Sequence, residues 1–168
     1  MLAWTEVCLR MCLPGDTSKI PSDNQGYLIF HICLVLVLHH MATMKLVIVE
    51  DEVSILQLYQ TKFELEGFKV STAMNGRDGL KIIKSTMPDL VLLDLRMPGM
   101  QGDEMLARLR EEGWGANIRV IILTNISRNE APPSLRFLAV DRYIVKAHYT
   151  PTQVVEVVRE VLHLPKHG

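Results

Sequence analysis

From residue 44 to its end the chain has no cysteine; its three, Cys8, Cys12 and Cys33, all lie in the first forty-three residues. The bulk of the protein therefore cannot be stapled by disulfides, and a reducing cytoplasmic setting is the expectation. An excess of charge of either sign is also lacking, with 18 Lys and Arg against 19 Asp and Glu. That balance gives no electrostatic footprint for direct nucleic-acid binding. Nor is there an apolar run near the roughly 20 residues that a membrane-spanning helix needs. The longest candidate, residues 27–38, is shorter and interrupted by His31, so no membrane association is expected. It lacks the basic flank and small-residue cleavage site of a signal peptide.

The chain divides near Met44. Residues 1–43 hold two cations (Arg10, Lys19) and three anions (Glu6, Asp16, Asp23), which leaves 16 of each sign for the remainder. Residues 13–26 are rich in Pro, Gly, Ser, Asp and Asn and read as loop. The spacing of Cys8, Cys12, His31 and Cys33 matches no usual zinc pattern. Residues 1–43 are expected to be an extension outside the fold, disordered or translated upstream sequence, with Met41 or Met44 as the functional start. A competing reading makes the apolar run a segment that packs on a membrane or another chain.

From residue 44 onward, strand-like and helix-like segments alternate, which argues for a parallel sheet covered on both faces. Leu46-Val47-Ile48-Val49 runs without polar alternation into Glu50-Asp51-Glu52, and a helix is expected over 53–66 with Leu56, Tyr59 and Phe63 on one stripe. Gly67 suits its end. A second strand is expected over 68–72, and a second helix starts at Asn75-Gly76 and is stopped by Pro88. The third strand, 90–94, is four apolar residues ending in Asp94, followed by the Pro98-Gly99 turn. Uninterrupted short apolar runs of this kind mark strands buried on both faces.

A third helix is expected over 102–111 and a fourth strand over 119–124. Pro132-Pro133 leaves room only for a short fourth helix, 134–139. Tyr143-Ile144-Val145 forms a fifth strand ending at Lys146. Thr150-Pro151 opens the last helix, with Val154, Val158, Val161 and Leu162 turned inward.

Ligands of such sheets bind outside the carboxyl ends of the strands. Strand one brings Glu50 and Asp51 there, strand three Asp94, strand four Thr124 and strand five Lys146. Three carboxylates at one edge repel unless a cation joins them. A hard divalent ion with oxygen ligands fits, Mg²⁺ being usual beside phosphate. A lysine and a hydroxyl facing the same spot suit the oxygens of a phosphoryl group. One carboxylate is then the nucleophile, forming an acyl phosphate, and Asp94 on the most buried strand is the candidate. Taken singly, each residue has an ordinary role as a helix cap, turn, core or surface group.

The stretches Leu-Val-Ile-Val-Glu-Asp-Glu, Asn-Gly-Arg-Asp-Gly-Leu, Pro-Asp-Leu-Val-Leu-Leu-Asp-Leu-Arg-Met-Pro-Gly-Met-Gln-Gly, Ile-Ile-Leu-Thr and Tyr-Ile-Val-Lys resemble the receiver domain of two-component response regulators. The resemblance spans 44–164, leaves 165–168 as a tail, and does not touch 1–43. It implies an α/β, three-layer, doubly wound, flavodoxin-like fold with a five-stranded parallel sheet of order 2-1-3-4-5. It implies a histidine kinase as phosphoryl donor, Asp94 as phosphoacceptor, and Mg²⁺ as cofactor. The metal would be held by Asp51 and Asp94, by Glu50 through water, and by the backbone carbonyl of Arg96. Thr124 and Lys146 would contact the phosphoryl group, and Tyr143 would turn inward as the Thr124 hydroxyl moves.

The implied output is a change of protein partner, the downstream target being unnamed by the sequence. The face of helix four, strand five and helix five is a possible homodimer surface. The reading is of a stand-alone cytoplasmic receiver, a signalling domain that assists its own phosphorylation and dephosphorylation rather than an enzyme. A phosphorelay intermediate and a phosphorylation-independent adaptor are the alternatives.

Three departures from the family pattern carry expectations. Lys146 is followed by Ala147 where the family usually has a cis proline. Since a cis bond before alanine costs about 2.5–4 kcal/mol, a trans peptide is expected, which puts the aim of Lys146 in question. Ile126 and Arg96 are expected to flank the path of the hydrolytic water and lengthen the acyl phosphate lifetime. Ala139 stands where a glycine commonly closes helix four; alanine is penalised in a left-handed cap, so that end is expected to be built differently.

Overall fold

The computed structural model describes residues 44–165, so the expectations for 1–43 and for the last three residues lie outside the described residues. Five strands, β1 (Lys45–Val49), β2 (Lys69–Ala73), β3 (Leu90–Leu93), β4 (Arg119–Thr124) and β5 (Arg142–Val145), alternate with four α-helices. These are α1 (Val53–Leu65), α2 (Gly76–Thr86), α3 (Gly102–Glu111) and α4 (Pro151–Val161). All strand pairings are parallel, in the order β2-β1-β3-β4-β5, as the sequence resemblance implies.

The apolar runs form strands because both sheet faces are covered. Successive side chains of a strand point to opposite faces. Val47, Val49, Val91, Leu93, Val120 and Ile122 therefore enter one core with Ile83 of α2 and Met105, Leu106 and Leu109 of α3. Leu46, Ile48, Leu90, Leu92, Ile121, Leu123 and Ile144 enter the other, with Leu56, Tyr59 and Phe63 of α1 and Val154, Val155 and Val158 of α4. Gly67 takes φ +88° after α1, the left-handed closure a glycine supplies most cheaply. The outer margin of α1 stays in solvent, with Leu65 81% exposed.

Register at the amino ends is set by one device used twice. Asp89 receives the Lys45 N–H on its carboxylate at 2.7 Å and returns its own N–H to the Lys45 carbonyl at 2.9 Å. Asp141 does the same to Val120, at 2.8 and 2.9 Å. Each aspartate completes the ladder of the neighbouring strand just before its own strand begins. At the start of α4, Thr150 and Gln153 form a reciprocal capping box, satisfying two donors that a helix start otherwise leaves free.

The fourth helix expected from the sequence is not an α-helix. Pro133–Phe137 is a single 3-10 segment, because the proline pair keeps the helix from starting earlier and the chain left before β5 is too short to propagate α-turns. Its end also differs from expectation. Ala139 does adopt the left-handed region, at φ +48°, at a cost of roughly 1–2 kcal/mol for a residue with a Cβ.

Arg110 of α3 offsets that cost. Its Nε and Nη2 donate to the Leu138 and Ala139 carbonyls, each at 2.9 Å. Nη1 donates to the carbonyls of Gly115 and Ile118 at 2.8 and 2.9 Å. One guanidinium thus clamps the turn before β4 to the turn before β5. A planar fork makes these bonds together, and an ammonium does not. Arg110→Ala is expected to lower unfolding free energy by roughly 2–4 kcal/mol in urea denaturation, with Arg110→Lys recovering little of it.

Candidate functional site

Parallel pairing in register carries the five strand ends to one edge. Val49 lies opposite Leu93, so the next residues, Glu50 and Asp94, emerge side by side. The backbone of each is still tied to the sheet, Asp94 N–H to Val49 O at 2.9 Å and Glu50 N–H to Ala73 O at 3.0 Å. Thr124 ends β4 opposite Val145, and Lys146 follows.

Lys146 occupies the centre. Its Nζ donates to Asp94 Oδ2 at 2.7 Å and to Glu50 Oε2 at 2.5 Å. All three side chains are nearly enclosed, the lysine 8% exposed. No peptide among the described residues is cis. Lys146-Ala147 is therefore trans as expected, yet the lysine is aimed at Asp94. A 3-10 turn over Lys146–His148 redirects the chain there.

Carboxylate oxygens of Glu50, Asp51 and Asp94 all lie within 4.8 Å of one another. Against the one ammonium, three carboxylates formally leave two negative charges. A hard, oxygen-ligated divalent cation fits that donor set. Burial pushes the Glu50 carboxyl up to about 7, and Asp94 adds to the effect, while Lys146 opposes it. Burial alone would lower Lys146, but its bonds to Asp94 and Glu50 outweigh that and raise it. The lysine is thus held protonated, and Glu50 is the member whose charge is costly without a cation.

Around this centre the loops are fixed at close quarters. The Arg96 N–H donates to Asp94 Oδ1 at 3.2 Å, orienting the carboxylate, while the Arg96 side chain is exposed. Gly102 packs directly on the backbone of Asp94: a Cβ there would stand 2.1 Å from the Asp94 carbonyl oxygen. Only glycine permits this approach, and the second glycine of Met-Pro-Gly-Met-Gln-Gly was legible in the sequence only as a helix start. Thr124 is buried, and its Oγ1 accepts from the Ile126 N–H at 3.5 Å.

Tyr143 is half-buried, its hydroxyl donating to the Ile126 carbonyl at 3.0 Å. Ile126 itself differs from expectation. Its side chain is buried in the first core, because the apolar group gains more there than over a charged cleft, so Arg96 is the exposed one of the pair. Glu50, Asp51, Asp94, Arg96, Thr124, Tyr143 and Lys146, the site residues expected from the sequence, all lie at or beside this edge. Gly102, packed on the Asp94 backbone, is at this edge too, and the sequence did not reveal it as part of the site.

Such an edge, with charged groups at the carboxyl ends of a 2-1-3-4-5 parallel sheet, defines the flavodoxin-like class of α/β domain. Within that class, residues 46–159 match the family described as response regulator receiver domain. The phosphate regulon transcriptional regulatory protein PhoB of Rhizobium meliloti (strain 1021) is 35% identical over 115 residues, 67% of this chain and 50% of that protein. The sporulation initiation phosphotransferase F of Bacillus subtilis (strain 168) is 44% identical over 80 residues, 48% of this chain and 63% of that protein. Among solved structures, the response regulator protein TrrA of Thermotoga maritima, in complex with Mg²⁺ and BeF, superposes with a TM-score of 0.62 at 31% identity. That match covers 70% of this chain and 98% of TrrA. The chain belongs to the response regulator receiver domain family. It spans about half of the PhoB relative's length and just under two thirds of the phosphotransferase's.

The raised Glu50 carboxyl has a consequence for stability without metal. The folded state holds this proton up to about pH 7, whereas the unfolded chain releases it near the ordinary value of 4.5. Between those values the folded state binds more protons, so this group's contribution is full below pH 4.5 and falls as pH rises towards 7. Denaturation in chelator across that range is expected to show the decline, and Glu50→Gln to flatten it.

Proposed function

We propose that Asp94 is the phosphoacceptor of a receiver domain phosphorylated by a histidine kinase. The observation that carries the reading is Lys146 Nζ at 2.7 Å from Asp94 Oδ2, with the Thr124 hydroxyl at the neighbouring strand end. In the transfer, an Asp94 carboxylate oxygen bonds to phosphorus as the phosphorus–nitrogen bond of the donor phosphohistidine breaks, and the electron pair returns to the imidazole. Lys146 neutralises charge on the phosphoryl oxygens, and Thr124 donates a hydrogen bond to one of them. Asp51, Asp94, the Arg96 carbonyl and, through water, Glu50 would hold Mg²⁺, which supplies further neutralisation. Tyr143 and Thr124 form the switch that reports the new group to the surface.

The output is a change of protein partner at the face made by the 3-10 segment, β5 and α4, where Phe137 is 87% exposed. That face is also the proposed homodimer surface. The domain comprises 44–164 and works in the cytoplasm. A relay role, passing the phosphoryl group to a second histidine, is favoured by the 44% identity to a phosphotransferase. It differs only in the fate of the acyl phosphate. An adaptor that never carries phosphate would not need the lysine, hydroxyl and acidic cluster at one spot.

Labelling with acetyl phosphate and Mg²⁺ is expected to modify the wild type and not Asp94→Asn; equal labelling of the two sinks the reading. Lys146→Ala is expected to accept label more slowly and to lose the conformational response. Arg96, exposed beside Asp94, shields the acyl phosphate from water. The phosphorylated protein should therefore decay over minutes or longer in Mg²⁺, and faster as Arg96→Ala; wild-type loss within seconds would contradict the shielding.

A further inference from the structure

The loop after β4 joins the two proposed switch residues through one residue. The Ile126 N–H donates to Thr124 Oγ1 at 3.5 Å, and the Ile126 carbonyl accepts from the Tyr143 hydroxyl at 3.0 Å. The Ser127 carbonyl lies 3.5 Å from the same hydroxyl. These residues belong to no helix or strand, so no ladder of backbone bonds sets their orientation.

What sets it is a short turn. The Glu130 N–H donates to the Ser127 carbonyl at 3.1 Å. In return Glu130 Oε2 accepts from the Ser127 hydroxyl at 2.7 Å and from the Ser127 N–H at 3.3 Å. That N–H and the Ile126 carbonyl are the two ends of a single peptide group. The group is planar and trans, so its N–H and C=O point in opposite directions. Holding the N–H toward Glu130 therefore aims the carbonyl toward Tyr143.

We infer that Glu130 is a positioning residue for the switch: its carboxylate orients the 126–127 peptide, and so places the acceptor for the Tyr143 hydroxyl. The inference rests on the reading of Thr124 and Tyr143 given above and adds to it a residue outside the phosphorylation site. The Ser127 hydroxyl and N–H hold the Glu130 carboxyl below its usual range, with a smaller pull from the Arg96 charge. What the turn requires of Glu130 is an acceptor oxygen for both Ser127 donors. The turn closed by Glu130 orients this seat for Tyr143. A ligand that needs the seated conformation binds more weakly in proportion as that conformation is depopulated.

The test uses the full chain and beryllofluoride with Mg²⁺ as phosphoryl mimic, with affinity read by calorimetry and the bound state by its fluorine NMR signal. Glu130→Ala is expected to weaken binding by about 3–10-fold as the seated fraction falls. Glu130→Gln keeps an acceptor oxygen for both Ser127 donors and should stay within about twofold of wild type. Tyr143→Phe should weaken binding too, and adding Glu130→Ala to it should cost nothing more, since both act on one contact.

If Tyr143→Phe binds as wild type, the switch reading itself fails. If Tyr143→Phe weakens binding while Glu130→Ala does not, only the positioning role is overturned. Additive losses, or Glu130→Gln behaving as Glu130→Ala, also overturn it, because the charge and not the oriented peptide would then be acting. Glu130 is exposed, and matching circular dichroism spectra identify variants fit for the comparison.

Discussion

Two carboxylates share one ammonium at the end of a sheet buried on both sides, and much of the protein serves to hold that arrangement. Enclosing three ionisable groups is costly, and it is tolerated only when geometry is good and the charges compensate one another. Lys146 meets Asp94 and Glu50 across 52 and 96 residues of chain. The contact therefore exists only when β1, β3 and β5 are in one sheet in the right register. The formal charge that remains after the lysine is counted is what prepares the cluster for a divalent cation. Burial, with a smaller push from Asp94, leaves Glu50 protonated to about pH 7 without one.

The rigid part of the molecule ends abruptly at that cluster. Behind Asp94 lies β3, whose four side chains are wholly enclosed, and in front of it lie loops. Each loop is held by a small number of specific contacts: Gly102 against the Asp94 backbone, the 3-10 turn that carries Lys146, and the turn closed by Glu130. A receiver that signals must change shape somewhere, and a close-packed core resists small changes. The loops at this edge are held by a few local hydrogen bonds rather than by a ladder, and under the proposed function a phosphoryl group acts there.

The region between β4 and β5 shows the opposite adjustment. A proline pair delays the start of the fourth helix, and only a short 3-10 segment followed by a left-handed alanine fits before β5. Arg110 reaches from α3 to bind the carbonyls that a longer helix would have satisfied within itself. The outcome is a face of the 3-10 segment, β5 and α4 that exposes Phe137, the face proposed above for partners.

The amino-acid sequence by itself determined the alternation of strands and helices, the burial of both sheet faces, the helix starts and stops at Asn75, Gly67 and Thr150, and the strand-end residues Glu50, Asp51, Asp94, Thr124 and Lys146 gathered at the carboxyl edge. All of these follow from local chemistry. Runs of branched apolar residues have one stable use, caps depend on neighbours within four positions, and a charge ending a buried run must surface. Tertiary structure alone decided that Lys146 points at Asp94 through a trans peptide, that Ile126 turns into the core, and that Ala139 accepts a left-handed backbone. It also decided that Gly102 packs on the Asp94 backbone and that Glu130 closes the turn after β4. Apart from the Glu130 turn, each of those depends on a partner distant in sequence or on the exact space left by its neighbours, and no periodicity or spacing along the chain records either.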